Sequence, residues 1–268
     1  MNNLYRKLAP ISHAAWAEIE EEAARTLKRH LAARCIVDVE GPQGLGLSSV
    51  GTGHVHKIKG PDNDIQALLR EAQPVVEFRI PFELSRQEID NVERGSEDSD
   101  WGPLQEAAKK IAFAEDRAIF EGYAAAKIQG LRQGSENQSL HLPAHVRNYP
   151  AAVAQAISQL RLQGVNGPYA LVLGARAYTA ASGGSDEGYP VLHHIRKLVD
   201  DRVIWAPAIE GGFVVSIRGG DFQMSLGQDI SIGYLSHTST VVKLYFQESF
   251  AFRLLSPEAV VPLSIPKK

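Results

Sequence analysis

The sequence is short of most features that announce a chemistry. Its 268 residues hold one cysteine, Cys35. A single thiol cannot build an intrachain disulfide framework, and without a CxxC partner it offers no zinc knuckle or dithiol redox pair. Its CIVDV setting predicts a buried, unreactive side chain. Lysine and arginine together number 28 against 31 acidic residues, a net charge of −3, so the chain lacks the positive field that coats nucleic acid. No apolar run approaches the ~18 residues of a membrane span. The opening MNNLYRKLAPISHAAWAEIEEEA meets acidic residues before a signal-peptide core develops. These absences predict a soluble, cytoplasmic chain with no membrane partner.

Catalytic signatures are missing as well. There is no G-x-S-x-G elbow, no P-loop and no G-x-G-x-x-G fingerprint. The nearest glycine pattern, Gly44–Leu45–Gly46, lacks the preceding buried strand and following helix of a dinucleotide site. His54 and His56, two apart on a predicted strand, share a face but have no third ligand nearby. His193 and His194 are adjacent on a predicted helix and diverge by about 100°. Neither pair predicts a metal. Glu115, Asp116 and Glu121 share one helix, and no second carboxylate element faces them, so a glycosidase pair cannot be argued. Glu115 interrupts an apolar face, where a carboxylate satisfied by a partner or facing the rim is expected over a buried acid/base.

What is present is pattern. Ser12 to about Ala33 predicts a helix, capped by Ser12, with Trp16, Ile19, Ala23, Leu27 and Leu31 on one stripe. That stripe is either core or a groove for a partner peptide. From Leu45 to Ile80 the chain makes a two-armed excursion through a turn at Gly60–Asp64. It ends in an alternation of Val76, Phe78, Ile80 and Phe82 with polar residues and Pro81. A lone two-stranded arm is marginal in water, so it either folds back or is completed by a neighbouring subunit. Pro81 argues against a central strand position. SRQEIDNVERG reads as a helix with a Ser85/Glu88 capping box, and a long helix is expected from about Leu104 to Gly122. Residues 131–148 look like a domain junction. Helices and strands then alternate from Tyr149, and the chain ends strand after strand. RGGDFQMSLGQDISIGY is a single RGG ahead of two alternating segments. It reads as a strand pair with tight glycine turns, not a phosphate cradle or an RNA-binding repeat. SGGSDEGYP, Ser182 to Pro190, is a substrate loop, a mobile surface loop, or a loop meeting its copies around a symmetry axis. In the last case Asp186 and Glu187 would form an acidic ring.

Several stretches carry a resemblance in order and spacing across nearly the whole chain. MNNLYRKLAPI, RCIVDVEGP, IDNVERG, AEDRAIFEG, GVNGPYALVLG, EGYPV, RGGDFQMSLGQDISIGY and the F-x-E-S-F-A-F run from Phe246 resemble encapsulin shell proteins. The resemblance implies an α+β fold of the HK97 phage-capsid type. Residues 1–44 would begin the peripheral domain, 45–80 form the extended loop, 81–133 carry the long helix, 134–221 form the axial domain, and 222–268 supply peripheral strands. It implies a non-enzymatic subunit closing into an icosahedral shell of about 60 copies. Cargo would enter by a C-terminal targeting peptide, the cargo being a dye-decolourising peroxidase or a ferritin-like protein. The positions matching the family's cargo-peptide site are Leu27, Leu31, Arg34, Asp38, Asp229, Ile230 and Ser231. Those matching the five-fold pore loop are Ser182, Gly183, Gly184, Ser185, Asp186, Glu187 and Gly188. Some members hold a flavin through an aromatic that is Gln87 here, so no cofactor is expected. The rival readings are a phage capsid subunit and a peptidase with bacteriocin activity.

Overall fold

Ser12 does cap the first helix: its Oγ accepts the Ala15 N–H at 3.1 Å. The computed structural model describes residues 3–265. Helix α1 (His13–His30) buries Ala15, Ile19 and Ala23 and carries Lys28, Arg29 and His30 in its last turn, where the dipole favours cations. It stops earlier than its apolar stripe. The N–H groups of Ala32 and Ala33 turn to the Asp116 carboxylate at 3.2 and 2.9 Å, which starts a 3-10 turn at Ala33–Cys35 in place of another helical turn.

Strand β1 (Asp38–Glu40) leads to the excursion. Strands β2 (Ser49–Ile58) and β3 (Ala67–Pro74) pair antiparallel with each other and with no other strand among the described residues. Strand β4 (Val76–Ser85) follows. Its alternation holds: Phe82 and Leu84 are buried and their neighbours exposed. Pro81 lies on an edge, because β4 ends the first sheet. Helix α2 (Arg86–Glu93) begins without the expected capping box. The Ser85 side chain makes no cap, the Arg86 N–H donates to the Thr240 carbonyl, and Glu88 accepts the Asp100 N–H. A strand running straight into a helix beside a neighbouring strand finds its first partner there.

Helix α3 (Gly102–Phe120) starts on a proline in its first turn and buries apolar residues along its length. The junction contains α4 (Leu131–Gly134) and β5 (Leu140–His141). Then come α5 (Tyr149–Leu162), β6 (Tyr169–Leu173), α6 (Ala175–Gly183), β7 (Ser185–Asp186), β8 (Tyr189–Pro190), α7 (Val191–Leu198), β9 (Val203–Trp205) and β10 (Gly212–Ser216). Strands β11 (Phe222–His237), β12 (Val241–Leu254) and β13 (Val260–Ser264) close the chain.

Two sheets result. One has the order β1-β11-β12-β4, the other β5-β13-β10-β6-β9. The second includes β13, placed with the peripheral strands 222–268 by resemblance. Val260–Val261–Pro262–Leu263 pairs with β10, whose open side can satisfy it, since β12 already has β4 and β11 on its two sides. RGGDFQMSLGQDISIGY is also corrected. Residues 222–237 form one long strand, and its irregularities are register shifts around Gly227, Gln228–Ser231 and Tyr234–Ser236. An interior glycine in a paired strand marks a bulge; a turn would need the chain to reverse, and β12 already occupies that side. A Cβ on Gly227 would come within 2.6 Å of the Ser249 Oγ. The RGG itself is the turn before β11, with Gly219 and Gly220 at φ +85 and +80°.

Two apolar clusters fill the molecule, and α3 runs through both. Leu104, Ala108 and Ile111 pack with α1, α2 and the stacked Phe82–Phe246 pair, ring centroids 5.0 Å apart. Ala118, Ile119 and Phe120 pack with the second sheet, where Phe120 stacks on Phe213 at 5.2 Å. The ribbon stays outside. Val55, Ile58, Leu68 and Leu69 are about half exposed, and only its base is tied down, by Arg253 to the Gly51 carbonyl (2.8 Å) and Gln73 to the Ala126 carbonyl (3.3 Å).

The Val75 N–H bonds the Ser48 carbonyl at 3.0 Å, so the two ends of the ribbon already meet. Excising 49–74 and joining the ends with a short glycine turn should leave a body that unfolds cooperatively by circular dichroism. Loss of cooperative unfolding would show that the ribbon belongs to the core after all.

Candidate functional site

The site grows from the turn after α1. Because α1 ends at His30, Arg34 is carried across the C-terminal half of α3 toward β11 and β12. Its Nε donates to Glu115 at 2.9 and 3.0 Å and its Nη2 to Glu115 at 2.6 Å. Its Nη1 donates to Asp229 at 2.8 Å. A second glutamate, Glu248 on β12, lies 3.6 Å from Nη2. Glu115, Asp116 and Glu248 are fully buried. One guanidinium therefore serves two buried glutamates and a half-exposed aspartate.

The balance of charge follows. Desolvation is the largest influence on Arg34, and the Glu115 and Asp229 carboxylates more than reverse it, holding the guanidinium charged. Burial pushes Glu248 well above the ordinary glutamate range, and the adjacent Glu115 charge pushes it further. As a carboxylate, Glu248 has no hydrogen-bond partner for either oxygen. Protonated, it hydrogen-bonds Glu115. Asp116 is pushed up to about 7, chiefly by burial, although the Ala32 and Ala33 N–H groups favour its charge. Glu115 thus has the partner expected of it. Glu248 was missed, yet its signal is legible: it shares the two-residue parity of Phe246, Phe250 and Phe252, all buried.

The remaining residues fall in three places. Leu27 and Ile230 are half-buried and pack on the same apolar cluster, and Leu31 is half-buried one turn beyond Leu27. Asp229 accepts the Ile230 N–H, and the Ser231 hydroxyl donates to the Asp229 carbonyl. Leu27, Arg34, Asp229, Ile230 and Ser231 therefore belong to one neighbourhood. Asp38 stands apart, opposite Gln223 near the start of β11, where its Oδ2 accepts the Gly220 N–H at 2.6 Å. Arg34, Asp38 and Asp229 each have partners within the chain. Cys35, expected buried, is exposed. Ile36 and Val37 take the core positions beside it, leaving Cys35 at the outer end of the 3-10 turn. Partial desolvation, then Asp116, raises its thiol pKa.

The Ser182–Gly188 stretch is a hairpin at the end of α6. Ser185–Asp186 pairs with Tyr189–Pro190 through a two-residue turn, with Glu187 at φ +48° and Gly188 at +86°. Ser182, Gly183, Ser185, Asp186, Glu187 and Gly188 are exposed, and Gly184 is half-buried. His54 and His56 are exposed on the ribbon, His56 facing Glu71 at 3.0 Å. Among the described residues no three His, Cys, Asp or Glu side chains gather as metal ligands, and no helix is long and apolar enough to cross a membrane. Gln87 is exposed on α2.

A family model described as an encapsulating protein for peroxidase matches residues 1–251. A type 1 encapsulin shell protein of Rhodococcus erythropolis is 57% identical over 98% of this chain and all of its own length. The chain belongs to the type 1 encapsulin shell family. Solved structures extend the likeness in fold alone. A virus-like particle from Pyrococcus furiosus aligns with a TM-score of 0.62 at 13% identity, over 92% of this chain and 98% of its own. Gordonia phage Cozz aligns at 0.58 and 12%, over 89% and 87%. The encapsulin chain has the HK97-type capsid fold, α+β as expected.

In this encapsulin chain the Arg34 cluster joins four elements: the turn after α1, α3, β11 and β12. Arg34→Met would leave Glu115 facing Glu248 with no cation, and should cost on the order of 3–5 kcal/mol in denaturant unfolding. The cluster also sets a pH dependence. Glu248 and Asp116 have folded-state pKa values above their unfolded ones. Their favourable contribution is complete below about pH 4 and is lost as the pH rises through the folded values, near 7 for Asp116 and in the same direction for Glu248. Glu248→Gln keeps the hydrogen bond and removes the charge. It should raise the midpoint of thermal unfolding by a few degrees at pH 9 and change it little at pH 5. An equal change at both pH values would show that Glu248 does not ionise in the folded chain.

Proposed function

We propose that this encapsulin chain is the structural subunit of a closed icosahedral nanocompartment of about 60 copies in the cytoplasm, and that it takes in a cargo enzyme through that enzyme's C-terminal targeting peptide. The observation that carries the assembly is the ribbon. Ten- and eight-residue strands project with their apolar side chains half exposed, and their outer edges offer unpaired backbone groups. A chain spends such surface on a neighbour; in isolation it would aggregate. Pairing by strand addition to the next subunit satisfies both the backbone and the side chains.

The cargo reading rests on the family resemblance and on the neighbourhood of Leu27, Leu31 and Ile230. These half-buried apolar side chains lie beside the Arg34–Asp229 pair, a combination suited to an extended peptide with apolar anchors. The family's description supports a dye-decolourising peroxidase as cargo over a ferritin-like protein. The hairpin with exposed Asp186 and Glu187 would line the five-fold pore. The subunit itself is read as having no catalytic activity: the pairs of acids, histidines and the lone thiol include no nucleophile beside a base. No cofactor is assigned to it.

Electron microscopy of the purified protein should show closed particles free of nucleic acid by their absorbance ratio. A small uniform oligomer would overturn the assembly, and particles packed with nucleic acid would favour a phage capsid. Leu31→Asp should leave particles closed and reduce co-purified peroxidase at least about tenfold; undiminished loading would remove Leu31 from the docking site.

A further inference from the structure

We propose that the face where α1, α3 and β9 meet docks an acidic segment of a partner protein. The side chains that build it are His30, Lys109, Phe113, Arg117 and Trp205. Lys109, Phe113 and Arg117 follow one another at four-residue steps and so form a single stripe on α3. The Lys109 ammonium lies 5.7 Å from the Phe113 ring centroid and the Arg117 guanidinium 5.8 Å. His30 bridges from α1, its ring 5.7 Å from Phe113 and 5.9 Å from Trp205 on β9. Trp205 is 39% exposed, unusual for a tryptophan with nothing packed above it.

The cations here have donors to spare. Arg6, Arg34, Arg79, Arg132 and Arg218 each meet a carboxylate, and among the described residues cations such as Arg29 and Arg70 meet none; what sets this face apart is that two cations rest on the one Phe113 ring. Among the described residues Lys109 and Arg117 form no ion pair. Arg117 spends only its Nε, on the Ala208 carbonyl, and both Nη groups stay free. His30 spends its Nδ1 on the Thr26 carbonyl and keeps Nε2. Cations held by aromatic contact lose side-chain freedom before any partner arrives, so an incoming carboxylate meets donors already placed.

The chemistry favours a protein segment over a nucleic acid. Single-stranded nucleic acid needs successive open rings along a continuous positive track. Phe113 is already in contact with both cations and His30, leaving Trp205 as the one open ring. Exposed Glu20, Glu21 and Glu106 on the same two helices interrupt any longer track. A few carboxylates with an apolar residue between them fit what remains: two cations on one ring and a half-exposed indole. This inference is independent of the cargo reading, which rests on other residues.

The test uses the assembled full-length protein. A short labelled peptide alternating aspartate with leucine is titrated by fluorescence anisotropy, against a control with lysine in place of aspartate. Binding should favour the acidic peptide and weaken between about 50 and 300 mM salt. It should fall at least about tenfold in the Lys109→Glu, Arg117→Glu double variant and several-fold in Trp205→Ala. Lys109→Gln with Arg117→Gln serves if charge reversal prevents folding, and should also weaken binding. Equal binding by the variants overturns the proposal. So does tighter binding of a single-stranded oligonucleotide lost in the same variants, which would make the partner a phosphate polymer. A change in assembly size on charge reversal without peptide binding overturns it too, since a second copy would then cover the face. Leu31→Asp losing cargo while this face still binds separates the two readings.

Discussion

Arg34 is the cation that meets Glu115 and Glu248, two fully buried acids, and the arrangement of the peripheral part of the molecule depends on it. Burying a carboxylate costs several kcal/mol unless an opposite charge and hydrogen bonds offset it. Here Glu115 receives Arg34, Asp116 receives two backbone N–H groups, and Glu248 receives a proton. The three solutions interlock. Asp116 can accept from Ala32 and Ala33 only because α1 ends there, and that ending is what turns Arg34 toward Glu115. The helix end, the long helix and two strands are thus positioned by polar contacts that tolerate few alternative geometries.

That rigidity contrasts with the ribbon. Among the described residues its strands pair in a sheet only with each other, and much of its apolar surface is exposed. The chain consists of a body built on two buried apolar clusters and an arm that has none of its own. The two apolar clusters bridged by α3 make the body self-sufficient, so the arm's unsatisfied surface remains available for association. An HK97-type capsid fold needs this division: a subunit must fold by itself and still hold surface in reserve for its neighbours.

Two surfaces near the end of α1 then separate by chemistry. On one side Leu27, Leu31 and Ile230 lie beside a neutralised ion pair. On the other, Lys109, Arg117 and Trp205 present charge without a partner. His30 closes α1 and contacts Phe113 and Trp205, while Leu31 is the cap residue whose backbone has already left the helix.

Much was legible in the residues themselves. The two-residue period of β4, the cap at Ser12, the projecting arm and the buried parity of Glu248 all follow from local pattern, because strand and helix geometry repeat wherever side chains alternate or recur. The collinear segments pointed to the shell family for the same reason: order along a chain is one-dimensional information. What the chain could not disclose alone were facts about which distant groups meet. The strand pair read in RGGDFQMSLGQDISIGY is one bulged strand because β12 lies along its whole length. Ser85 needs no capping box because Thr240 is beside it. Cys35 is exposed because Ile36 and Val37 reach the core first, and β13 joins the second sheet because β10 has a free edge. The strand, cap and sheet cases depend on partners far away in sequence, and a buried polar group takes whichever partner the fold brings within about 3 Å.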